Sequence, residues 1–273
     1  MKSIVVPINF SPCAINAAHY AADLAEVIHA DLHLIHVIQV PVNTAELMMT
    51  QEVYEEMVQA ADASLKELQV ELTRRTHHKV QIDTTLDAGS IAAKVKGRCQ
   101  ELQPYALVLG ATGPTFEKFL AGSPVASLLH NLDCPVLVVP ETHTFQPLRR
   151  ILLACDLDDL GSGMPRSLPL LKDLREHFGS RFDILTVETA KVRSDGEYVF
   201  QSASCKIELK ELYPEFHHIR KPKVEEGILE YLAHNEADLI LVFPKKHGFL
   251  DFHTSQSRKV AQHSPVPVLS LHA

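Results

Sequence analysis

LVLGATGPTFEKFLAGSPVASLLHNLDCPVLVV, residues 107–139, is the stretch on which the fold turns. Its opening residues, 107–109, have the unbroken apolar character of a strand buried on both faces of a parallel sheet. They run directly into Gly110, Ala111, Thr112 and Gly113. Glycines after a parallel strand let main-chain amides approach a ligand that a β-carbon would hold off. Gly122 and Ser123 then open a helix, whose first amides are unpaired and whose dipole favours an anion. A second apolar strand, residues 135–139, closes the unit. The pattern reads as a cradle for the phosphates of a nucleotide.

Working outward, the same alternation continues upstream. Residues 3–9 form a continuous apolar strand, and Ser11-Pro12 supplies a helix cap followed by proline at the first helical position. That helix extends to about residue 30 and is followed by a strand over residues 31–37. Asn43 or Thr44 is the expected cap of a long helix reaching Arg75. A third strand covers residues 80–86, and a further helix ends near Leu102. Strands alternating with helices imply a parallel sheet with right-handed crossovers.

After a polar connector, ETHTFQP, the pattern restarts. RILLACDL at residues 150–157 parallels SIVVPINF at 3–10, and FDILTV at 182–187 parallels LHLIHV at 32–37. ADLILV at 237–242 parallels PYALVL at 104–109, and VPVLSL parallels CPVLVV. The repeat is too long for a solenoid unit. The expected architecture is α/β: two doubly wound, open parallel-sheet domains of Rossmann-like type, residues 1–142 and 148–273.

Composition narrows the function. A chain of 273 residues, 46% hydrophobic and 22% charged, suits two globular domains. A formal net charge of −8 argues against general nucleic-acid binding. No apolar run reaches the roughly 18 residues of a membrane span. Met1-Lys2 leads straight into SIVVPI without an export pattern, so a cytoplasmic location is expected. The five cysteines show neither metal nor redox spacing, and read as buried reduced thiols.

In open parallel sheets, ligands bind beyond the carboxyl ends of the strands, where strand order reverses. In the first half this edge carries Asn9, Phe10 and Ser11, the main chain of Val37, and the glycine loop. Asn9 is placed either to hydrogen-bond a ribose hydroxyl or base edge, or to close a turn on its own backbone. The amide and carbonyl of Val37 suit an adenine edge.

With Gly110, Gly113, Gly122 and Ser123 in this order, and Pro-Val-Leu-Val at residues 135–138, the chain resembles the universal stress protein family, tandem type, with adenine nucleotide alpha-hydrolase-like domains. The resemblance implies a stress-response or regulatory protein binding ATP, ADP or AMP in the first domain, with Mg²⁺ accompanying ATP. It implies Asn9, Ser11, Val37, Gly110, Gly113, Gly122 and Ser123 as the nucleotide-binding residues. Since members of that family commonly dimerise through their last strand, it also implies that strands 136–139 and 268–271 pair within this chain as a pseudo-dimer, and it suggests pairing of chains into a homodimer. Three departures bear on affinity. The spacer at residues 114–121 is one residue shorter than the family's, Asn9 replaces the usual aspartate, and Pro124 offers no amide.

The second half departs further. Asp156 keeps the family's aspartate position, and Val187 and Ser255 are the counterparts of Val37 and the helix-opening Ser123. Phe243 and Lys246 replace the two loop glycines, which points to a degenerate site. Asp156, Asp158 and Asp159 form either a solvated turn or a Mg²⁺ contact. No metal ligand set is expected among the sixteen histidines, since neighbours such as His77-His78 and His217-His218 point to opposite faces of a strand. His247, His253 and His263 are the one trio of interest near the second loop.

No nucleophile elbow, P-loop lysine or cysteine–base pair is present. The alternatives to nucleotide-binding regulation are a weak ATP hydrolase and a scaffold whose two sites have both decayed.

Overall fold

The computed structural model describes residues 2–39, 50–111, 132, 134–154, 164–188, 212–243 and 264–271. Two compact units divide the chain, Met1–Cys134 and Pro135–Ala273.

In unit 1, β1 (Lys2–Ile8) leads into α1 (Pro12–Ile28), and β2 (Ala30–Ile38) precedes α2 (Gln51–Arg75). β3 (Ile82–Ala88), α3 (Ile91–Leu102) and β4 (Ala106–Gly110) complete it. The four strands lie parallel in the order β3-β2-β1-β4. β1 buries six of its seven residues, the pattern of a central strand covered on both faces. α1 starts where Ser11 accepts a hydrogen bond from the Ala14 amide and Pro12 occupies its first turn. It buries an alanine-rich face, Ala14, Ala17, Ala18, Ala21, Ala22 and Ala25, whose small side chains bring the helix close to the sheet.

α2 is capped by Thr50, whose hydroxyl accepts from the Val53 amide. Asn43 and Thr44, the expected caps, lie outside the described residues. α2 docks through Leu65, Leu68 and Leu72, and ion pairs fasten its C-terminal end to α1, Arg75 with Asp23 and His19 with Glu71.

Unit 2 contains β5 (Val136–Val139), β6 (Arg150–Ala154), α4 (Met164–Phe178), β7 (Arg181–Glu188) and β8 (Glu215–Arg220). α5 (Val224–His234), β9 (Leu239–Val242) and β10 (Val268–Ser270) follow. Its strand order is β5-β10-β9-β6-β7-β8. All of these pairs are parallel except β5 with β10, where Val138 faces Val268 and Val136 faces Ser270. β5 closes the first copy in sequence, and it pairs with β10 of the second unit. The second copy thus repeats the strand plan of the first. The third strand of this copy, β8, had no counterpart in the sequence reading, and its alternating half-exposed pattern marks it as the sheet's last strand.

Candidate nucleotide site

The order β3-β2-β1-β4 makes β1 the point at which the chain reverses direction across the sheet, since β2 and β3 extend to one side of it and β4 lies on the other. Such a reversal marks the crevice in which open α/β sheets bind ligands, beyond the carboxyl ends of strands that here are β1 and β4. Asn9, Ser11 and Gly110 all stand at those ends.

Gly110 is required by closeness. A β-carbon there would lie 2.6 Å from the Cys13 carbonyl oxygen, within the first turn of α1. The helix entrance and the end of β4 are thereby held together, and only a glycine fits between them.

Asn9 and Ser11 form a local knot. The Asn9 Oδ1 accepts from the Ser11 amide at 3.1 Å and from the Ser11 hydroxyl at 2.6 Å. Between them Phe10 adopts a left-handed backbone conformation, φ 59°. A phenylalanine in that region is a strained choice, of the kind found at ligand sites. The Asn9 oxygen thus serves the turn that starts α1, and the Ser11 hydroxyl serves the helix cap.

The structure adds a residue that sequence reading passed over, His36. Its Nδ1 donates to the Ile8 carbonyl at 2.7 Å, and its ring lies 4.9 Å from that of Phe10. Phe10 and His36 form an aromatic wall beside the crevice. The sequence signal was the second histidine of LHLIHV, at the carboxyl end of the strand.

Val37 stands at the mouth. The Leu32 amide bonds to Gln81, and the Ile38 carbonyl accepts from Gly89, so the even residues of β2 face β3. Alternation along the strand turns the amide and carbonyl of Val37 towards β1, whose pairing with β2 ends at Ile8. Beside it, Lys94 pairs with Asp87 at 2.7 Å, at the end of β3. Gly113, Gly122 and Ser123 lie outside the described residues, as do Asp156 and Ser255.

The chain is similar to known proteins in sequence and fold. The model of the universal stress protein family matches residues 1–140. The chain belongs to the universal stress protein family. It is 28% identical over 145 residues to a universal stress protein of Methanocaldococcus jannaschii, covering 50% of this chain and 81% of that one. Among solved structures, a universal stress protein from Archaeoglobus fulgidus superposes with a TM-score of 0.73 at 19% identity, over 99% of this chain and 96% of that chain. A functionally unknown protein from Pseudomonas aeruginosa gives 0.61 at 14% identity, covering 100% of this chain and 92% of the other. The structural likenesses span both copies, so the tandem universal stress protein fold extends along the chain.

The second copy of this universal stress protein differs where the first has its crevice. Phe243, at the end of β9, is buried, and by the repeat it takes the place of Gly110. Val187 is buried against Gly227 of α5, so its side chain is committed to packing. Among the described residues, no helix is long and apolar enough to cross a membrane.

Sequence spacing did not reveal one further contact. Cys99 and Cys134 are both buried and hydrogen-bonded to each other, and that bond, with burial, raises the Cys99 thiol far above its ordinary range. They are reduced thiols in apolar surroundings, inert by the same physics.

Proposed function

We propose that this universal stress protein is a nucleotide-responsive regulatory protein that binds ATP or AMP in its first unit. The observation that carries the reading is Gly110 at the topological switch point, where the end of β4 meets the entrance of α1 across a gap that admits no side chain. The base lies towards the main chain of Val37 and the Phe10–His36 wall. The phosphates lie on the loop that begins at Gly110 and continues through Gly113 to Gly122 and Ser123, with Mg²⁺ accompanying a triphosphate. The second unit, with Phe243 in the glycine's place, serves as a fold without this ligand.

The experiment is equilibrium binding of labelled ATP and AMP to the full chain and to its Gly113→Phe variant. Saturable binding by the parent and its loss in the variant support the reading. Equal affinity in the two proteins overturns it.

One observation favours a second reading, a scaffold with no nucleotide. The Asn9 oxygen and the Ser11 hydroxyl are already spent on the turn and the cap. Flat calorimetry with both ATP and AMP at millimolar concentration selects that alternative. Phosphate release measured with and without Mg²⁺ tests slow hydrolysis separately.

A further inference from the structure

The second unit carries a cluster of a different chemistry, away from the strand ends where a nucleotide would sit. Asp183 on β7 faces Glu215 on β8 across the parallel ladder, and His217 follows two residues along β8 on the same face. One donor atom from each of the three lies within 4.8 Å of the others. It is the one such trio among the described residues. We propose that Asp183, Glu215 and His217 bind a divalent transition-metal ion of the zinc class.

The state of His217 separates this trio from an ordinary group of surface charges. Its Nε2 is shut off from solvent and has no hydrogen-bond partner among the described residues. The nearest carboxylate oxygen, Asp183 Oδ1, is 3.6 Å away, too far for a hydrogen bond. A buried ring nitrogen without a partner is costly. A metal ion between it and the carboxylate satisfies both. Donors around a four-coordinate zinc ion stand about 3.3 Å apart, so the His217–Asp183 edge is already close to that spacing. Glu215 is exposed, and its side chain has room to complete the set. One imidazole and two carboxylates suit zinc, with water in the fourth position.

The support around the trio points the same way. Tyr231 of α5 is 4% exposed, with its hydroxyl beside Asp183, and its ring meets that of His217 edge-on at 5.0 Å. A phenol set behind a ligating carboxylate is the kind of outer support that metal sites use to fix their ligands. The first unit supplies an internal control. In the repeat, His33 takes the place of Asp183, and it faces Asp83 at 3.6 Å. The place of His217 falls to Thr85, by the same register. Counting from the helix caps Ser90 and Lys223, Arg98 takes the place of Tyr231, and its guanidinium bonds the Thr85 hydroxyl at 3.0 Å. A fixed cation closes that position to a metal. The second unit has exchanged it for a neutral phenol.

The adjacent histidines illustrate why the site escaped sequence reading. His217 and His218 do diverge, His218 pairing with Glu188 at 3.3 Å. The partners of His217 come from across the ladder instead.

The test is titration of the metal-free full chain with ZnCl₂ by calorimetry, and with CoCl₂ by its visible d–d absorption. One equivalent should bind, with a cobalt spectrum of four- or five-coordinate intensity. His217→Ala and Glu215→Gln should each abolish the cobalt bands. Tyr231→Phe should weaken zinc about tenfold, as outer supports do. His218→Ala should leave the isotherm unchanged. Should His217→Ala fail to fold by circular dichroism, Glu215→Gln, at an exposed position, carries the test. Absence of saturable binding, or equal losses in the His217 and His218 variants, overturns the proposal.

Discussion

Gly110 and Cys13 approach so closely that a β-carbon on the glycine would stand 2.6 Å from the Cys13 carbonyl oxygen and 2.8 Å from its carbon. The obstacle is main chain, so it does not yield by a change of rotamer. Gly110→Ala must push β4 away from the first turn of α1. The expected cost is about 1–3 kcal/mol, the range for overpacking a filled site. Thermal melting of the variant should fall by roughly 2–10 °C, and a midpoint equal to that of the parent would show that the strand end and helix separate freely.

Gly227 and Val187 make a second tight pair of another kind. A β-carbon at Gly227 would lie 2.7 Å from both methyl groups of Val187, a side chain too stiff to turn aside. Gly227→Ala is expected to destabilise unit 2 by about 1–3 kcal/mol. Val187→Ala removes the obstructing methyls, so the double variant should be more stable than the sum of the two single losses predicts. Urea denaturation of the four proteins measures the coupling, and strict additivity would contradict this packing.

His143 gives the protein a pH dependence of known sign. Burial holds its pKa below the ordinary value, and this outweighs a backbone hydrogen bond to Pro265 and the charge of Asp238, both of which act upwards. The unfolded chain takes up the proton at about 6.5, while the folded chain resists it. The stabilisation is therefore complete above that pH and is lost as pH falls through the lowered folded value. Urea midpoints should drop between pH 7.5 and pH 5, and His143→Asn should make that drop smaller. An NMR titration placing His143 at or above the free-histidine value would refute the assignment.

Much of the fold was legible because the signals are local. Ser11-Pro12 caps α1 as its residue types require, and the apolar runs at 3–9, 31–37 and 107–109 fall within β1, β2 and β4 or overlap them closely. The long second helix proved harder. Thr50 caps it, while the similar cap-forming residues Asn43 and Thr44 lie upstream, and propensity alone does not choose between them. β8 was missed because EFHHIR lacks the apolar run of a central strand.

At the carboxyl ends of β1 and β4, the sequence named residues and the structure supplied their bonding. The spacing of Gly110 and Gly113 singled out Gly110, but it did not say that its neighbour would be the Cys13 carbonyl. Asn9 allowed both a ribose contact and a turn, and its bonds to Ser11 are those of the turn. His36 acquired its place from Ile8 and Phe10, neither of which is near it in the chain.

The amino-acid order by itself determined the duplication and the alternation of strands and helices, since those follow from hydrophobic period and caps along a short span of chain. The tertiary structure decided which residues face one another. Parallel register set Asp183 opposite Glu215, helix packing laid Tyr231 behind them, and the approach of α1 to β4 left room for glycine alone. The physical reason is that side chains meet through the ladder and the helix docking angle, which join residues far apart in the chain whose individual preferences carry no record of each other.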